Sequence, residues 1–126
     1  MKYRTPLALV RGLGSAKEGT HHFWAQRLTA IALVPLMVWM VILVLATALG
    51  DYESARATVG HPISAALAIA TIAVLFHHGQ LGLQVVIEDY VHVEWVKLAA
   101  LMAVKFLAVL AALVGIVAVL RIAVGT

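Results

Sequence analysis

Cysteine is absent, which removes disulfides, thiolate-held iron–sulfur clusters and cysteine nucleophiles from this chain. Charge is scarce: 12% of residues are Asp, Glu, Lys or Arg, about half the usual share of a soluble domain. The Lys/Arg residues never form a run interleaved with aromatics, so nucleic acid is a poor match. The net charge of +3 sits mostly in the first residues and suits a membrane surface better. There is no internal repeat, no low-complexity linker and no stretch that would make a soluble domain. Residues 1–20 carry Lys2, Arg4, Arg11 and Lys17 with no apolar core between them and no Ala-x-Ala site. They read as a short amphiphilic tail rather than a signal peptide, which leaves the first spanning helix to direct insertion.

What the chain has in excess is apolar length. Apolar residues make up 63% of it and the mean hydropathy is +1.02, against about 45–50% apolar in soluble domains. About 20 apolar residues in a helix cross the roughly 30 Å hydrocarbon core. Leu28 to Leu49 qualifies without a charge, with Pro35 inside it expected to kink rather than end the helix. Gly50-Asp51-Tyr52-Glu53 marks an exit, and Gly60-His61-Pro62 marks the next entry, with Pro62 suited to a first turn. A second span covers about Ile63 to Ile87, and a third about Val96 to Leu120, interrupted only by Lys105.

The expected fold is therefore all-α: one integral membrane domain over residues 1–126, a three-helix bundle running up-down-up. Its tail is residues 1–20, with spans at about 23–49, 62–90 and 96–121. Lys2, Arg4, Arg11, Lys17 and Arg27 cluster before the first span, whereas Arg56, Lys97 and Arg121 are single. The positive-inside rule then predicts a cytoplasmic N-terminus and a periplasmic C-terminus.

The second span is where chemistry concentrates. His77, His78, Gln80 and Gln84 lie within it, and Asp89-Tyr90 closes it. A ring nitrogen at membrane depth needs a partner, and ligating a metal satisfies it. Imidazole is a standard axial ligand of haem iron. Eleven residues separate His78 from Asp89, leaving them within roughly 20° of one helix face and about 16 Å apart along the axis. Gly82, one turn from His78, would let a flat ring system approach the backbone. His77 points about 100° away, and chemistry alone leaves it open as the ligand instead; either histidine can also be a hydrogen-bonded structural residue.

The other polar residues have ordinary readings beside the functional ones. Gln80 and Gln84 suit interhelical hydrogen bonds. Lys105 suits snorkelling, or pairing with an acid. Ala99–Ala103, Ala108–Ala112 and Ala111–Gly115 are small-residue steps that allow close helix packing. If the first helix runs outward and the second returns, Arg27 shares a depth with Asp89-Tyr90, beside His21, His22 and Trp24. Arg27 then anchors at the interface, pairs with Asp89, or meets an anionic cofactor group.

His78-x3-Gly82-x6-Asp89-Tyr90 resembles the signature of the small hydrophobic membrane-anchor subunit of succinate dehydrogenase (respiratory complex II). His21-x-Phe23-x3-Arg27-x-Thr29-Ala30-Ile31 is similar to the start of that family's first helix. With the length and three-span plan, the resemblance covers nearly the whole chain. It implies a haem b shared with a second membrane anchor, with His78 as this chain's axial ligand to the iron. It implies that Tyr90, with Asp89, lines the ubiquinone pocket, and that Arg27 and His21 approach the haem propionates. His77 beside His78 and His22 beside His21 depart from the simple pattern.

The resemblance further implies partners: the second membrane anchor, an iron–sulfur subunit and a flavoprotein subunit. It places them in the bacterial cytoplasmic (inner) membrane, serving electron transport and the tricarboxylic acid cycle. No catalytic residue for succinate is expected in this chain alone. Other readings are a fumarate reductase-type anchor, a structural anchor without cofactor, and a small proton or ion carrier. Three spans without an inverted repeat place the carrier last.

Overall fold

The computed structural model describes residues 6–7 and 17–125, with side chains from residue 19 onward in the first helix. Lys2, Arg4 and Arg11 of the basic tail, and the side chain of Lys17, lie outside the described residues. From residue 17 onward the described residues form four helices in order: α1 (Lys17–Ala48), α2 (Tyr52–Gly60), α3 (Pro62–Tyr90) and α4 (Glu94–Val124). Three of them, over Gly19–Ala48, Pro62–Tyr90 and Glu94–Val124, are long and apolar enough to cross a membrane. The all-α, three-span expectation holds.

The turns are closed locally. Asp51 caps α2 by accepting a 2.8 Å bond from the Ser54 amide, satisfying one donor that a helix start leaves orphaned. His61 Nδ1 accepts from the Ile63 amide at 3.3 Å, and Pro62 opens α3, where its missing N–H costs nothing. Gly125, at φ +83°, ends α4 with its amide bonded to the Arg121 and Ile122 carbonyls. α1 continues through Pro35 as one helix. Between the exit and re-entry that the sequence marks at 50–53 and 60–62, the structure adds α2, a polar nine-residue helix.

α3 is the middle element. It packs against α1 on one side and α4 on the other, while α1 and α4 make no backbone approach to each other among the described residues. Three of the five buried apolar side chains, Ala65, Ala68 and Leu81, belong to α3, with Leu33 and Val119 added by its neighbours. Small residues let the backbones close in. Gly115 of α4 faces Ile72 so tightly that an added Cβ would stand 3.2 Å from Ile72 Cδ1. Most of the Leu, Ile and Val residues on the outer helices stay exposed, the expected pattern when lipid rather than water surrounds them.

Candidate functional site

The α1–α3 seam carries the polar groups of interest. On α1, His22, Gln26 and Thr29 fall at i, i+4 and i+7, a single helical stripe. Thr29 Oγ1 lies 2.9 Å from His78 Nδ1 across the seam. One turn further along α3, the position a Cβ would take on Gly82 is 3.8 Å from Gln26 Nε2. Among the described residues His22 Nε2 and Gln26 Oε1 are buried without a hydrogen-bond partner. Buried polar atoms are normally paired, which sets these two atoms of one stripe apart.

The same contacts fix the helix register and correct one expectation. Thr29 opposite His78 and Gln26 opposite Gly82 make α1 and α3 antiparallel, which puts Arg27 level with about Gln80 and Leu81. At 1.5 Å per residue, Arg27 is then about 13 Å along the axis from Asp89. Arg27 does not share a depth with Asp89-Tyr90, because α1 begins at Lys17, well before Arg27. Its guanidinium lies over the Phe23 ring, 5.2 Å from the centroid, a cation–π contact. Among the described residues the ion pair found is Lys97–Glu94 at 3.7 Å, with none between Arg27 and Asp89.

The other candidates separate clearly. His21 is exposed, and it is His22 that turns into the seam. Asp89 and Tyr90 are exposed at the last turn of α3, with Val91 capping back to Ile87. His77 lines a groove between α3 and α4 with Gln80 and Lys105, on a different face from His78. Gln80 and Gln84, expected to bond between helices, instead form an intrahelical ladder: Gln80 Nε2 donates to Gln84 Oε1 at 3.2 Å, and Gln84 Nε2 donates to Glu88 Oε1 at 3.1 Å. Their i, i+4 spacing is a standard neighbour relation on one helix.

Two glycines on α3 have no reason within this chain. A Cβ at Gly79 would meet nothing within 4 Å, and one at Gly82 would make only the ordinary contact to Gln26. Glycine inside a helix costs about 1 kcal/mol relative to alanine. Among the described residues both leave a gap beside their backbone, Gly79 on the groove toward α4 and Gly82 on the seam with α1, in contrast to Gly115. Among the described residues no group of three or more His, Cys, Asp or Glu side chains gathers to hold a metal ion.

The family model described as "Succinate dehydrogenase/Fumarate reductase transmembrane subunit" matches residues 1–112. The chain belongs to that family. The succinate dehydrogenase hydrophobic membrane anchor subunit of Rickettsia bellii is 33% identical over 117 residues, covering 93% of this chain and 94% of the relative. The subunit of the same name from Paracoccus denitrificans is 36% identical over 107 residues, covering 84% and 82%. A succinate dehydrogenase membrane anchor subunit from Porphyra purpurea is 32% identical over 108 residues, covering 86% and 88%. No solved structure matches the chain significantly. The resemblance seen in the sequence motifs is thus borne out, and the anchor is a multi-pass membrane protein.

Sequence reasoning singles out His78, Gly82 and the terminal Asp89-Tyr90. It misses Gln26 and gives Thr29 no role. The available signal is the i, i+4, i+7 spacing of His22, Gln26 and Thr29 on an otherwise apolar helix.

Proposed function

We propose that this chain is the succinate dehydrogenase anchor that, with a second membrane anchor, holds haem b and presents ubiquinone to electrons arriving from docked iron–sulfur and flavoprotein subunits. The observation that carries the reading is His78 at the α1–α3 seam, engaged through Nδ1 alone and flanked by the open backbone of Gly82. Those residues fit a haem: one imidazole nitrogen remains for iron, and the adjacent glycine leaves room for a flat ring. Bound there, haem would supply a reversible one-electron centre.

This chain's own residues do the rest. His78 would hold the haem iron through its free ring nitrogen. Arg27, two residues from Thr29 and near the His78 level, is placed to meet a carboxylate such as a propionate with its forked donors. His21 is the sequence candidate beside it, and His22, whose Nε2 is buried without a partner among the described residues, is the alternative imidazole. Tyr90, exposed at the end of α3, would donate a hydrogen bond from its neutral phenol to a quinone oxygen as negative charge develops there. Asp89 beside it orients that donor or pairs with a cation. The positive-inside orientation, with the N-terminus in the cytoplasm of a bacterium, brings the Asp89-Tyr90 end to the side where soluble subunits dock.

A structural anchor without cofactor is the second reading, favoured by one fact: the Thr29 bond already satisfies one nitrogen of His78 within the chain. Absorbance separates the two. The complex, purified after co-expression with its partner subunits, is expected to show b-type bands that His78→Ala abolishes and His77→Ala alters less. Unchanged bands and redox titration in His78→Ala would refute the ligand assignment. The family name spans fumarate reductase as well, and the direction of the reaction belongs to the soluble subunits.

A further inference from the structure

The hydrogen-bond arithmetic around Thr29 decides which nitrogen of His78 is free. A threonine hydroxyl has one proton and two lone pairs. Thr29 Oγ1 stands 2.6 Å from the Ala25 carbonyl and 3.1 Å from the Gln26 carbonyl, the backward bonding that threonine commonly makes inside helices. Carbonyl oxygens only accept, so the hydroxyl proton is committed to them. At its third contact, 2.9 Å from His78 Nδ1, the oxygen has only a lone pair to offer. Nδ1 must therefore carry the hydrogen. A neutral imidazole has one N–H, which leaves Nε2 unprotonated, a free electron-pair donor.

We propose that Thr29 is the positioning residue of His78: by accepting the Nδ1 proton it fixes the tautomer and ring orientation in which Nε2 is available as an axial ligand. The inference rests on the haem reading above. Metal-bound histidines usually donate their second nitrogen to a carbonyl, carboxylate or water, and that partner tunes ligand basicity. Here the acceptor is an uncharged hydroxyl polarised by two carbonyls. It is a weaker acceptor than a carboxylate, so it holds the ring with little imidazolate character. Because the hydroxyl is on α1 and the ring on α3, the ring's orientation is tied to the helix register that Gln26 and Gly82 also report.

The test uses the assembled complex carrying Thr29→Val, Thr29→Ser or His78→Ala, with haem content, optical redox titration and low-temperature EPR of the ferric haem as readouts. Valine keeps the shape and removes the acceptor. It is expected to raise the haem midpoint potential, because the ring donates less to ferric iron, and to broaden the low-spin EPR signal. Serine keeps the hydroxyl and is expected to retain the wild-type potential and signal. Should Thr29→Val not assemble, Thr29→Ala makes the same comparison. Wild-type potential and EPR without the hydroxyl would overturn the inference, as would a serine variant as altered as the valine one. Failure of the underlying reading looks different: haem that survives His78→Ala removes the ligand itself, and the Thr29 assignment falls with it.

Discussion

Gly82 and Gly115 are both helix-interior glycines, and the structure requires alanine at the two positions to act with opposite sign. Replacing an interior glycine gains about 1 kcal/mol of helix propensity, a roughly fivefold change in a folding equilibrium. At Gly115 the new methyl would lie 3.2 and 3.3 Å from Ile72 Cδ1 and Cγ2. Isoleucine is branched at Cβ and stiff at χ1, so overpacking of about 1–3 kcal/mol cancels or exceeds the gain. At Gly82 the methyl meets only the mobile end of Gln26 at 3.8 Å, so the anchor alone keeps the gain of about 1 kcal/mol. In the assembled complex, a methyl in that gap intrudes on whatever seats there, costing about 1–3 kcal/mol. The expected pattern is a chain as stable or more stable in detergent with Gly82→Ala, by SDS titration of its helicity, alongside lower haem content in the purified complex. Gly115→Ala should weaken the chain and leave haem per folded complex unchanged. A Gly82→Ala chain less stable than wild type, or a complex with full haem and an unmoved potential, would refute the reasoning that Gly82 is reserved for an external group.

Tyr90→Phe should impair ubiquinone reduction while succinate oxidation by an artificial acceptor persists; losing both together would mean failed assembly instead. Because the chain has no native cysteine, Gln26→Cys with Gly82→Cys should cross-link through a short bifunctional reagent, and Arg27→Cys with Asp89→Cys should not. The reverse result would overturn the antiparallel register. The backbone and side-chain bonds from Ser54 hold the Asp51 carboxyl below its ordinary pKa. A depressed folded-state value means the cap's contribution is present above the ordinary carboxylate range and lost as pH falls through the lowered value. The protection of the Ser54 amide, its exchange measured against the intrinsic rate at each pH, should therefore fall on acidification, and Asp51→Ala should remove that dependence.

The helices are legible in the sequence and their register is not. Apolar length and the Pro62 entry mark the spans because bilayer thickness imposes them directly. α2 escapes because a nine-residue polar helix between spans has no long apolar face, although Asp51 as a cap with Glu53 in the first turn is a helix-start signal. Arg27 looks level with Asp89 when its charge is taken as the start of the helix, whereas α1 begins ten residues earlier at Lys17. Gln80 and Gln84 look interhelical when polarity in lipid is the only guide, yet a neighbour four residues on is nearer than any other helix. Thr29 enters the sequence reading only as a motif position without a role, because a threonine in an apolar helix is ordinary until the residue opposite it is known. That opposition depends on how α1 and α3 slide against each other, which no one-dimensional pattern encodes.

The row α1–α3–α4 has two broad sides and only a thin core, centred on Ala65, Ala68 and Val119. A chain of this shape has little to lose by separating from itself in the bilayer and much unpaired polarity to resolve, at His22, Gln26 and Lys105. Companion chains covering those two sides would give this polarity its partners, so the amount of intact anchor would track the supply of such companions.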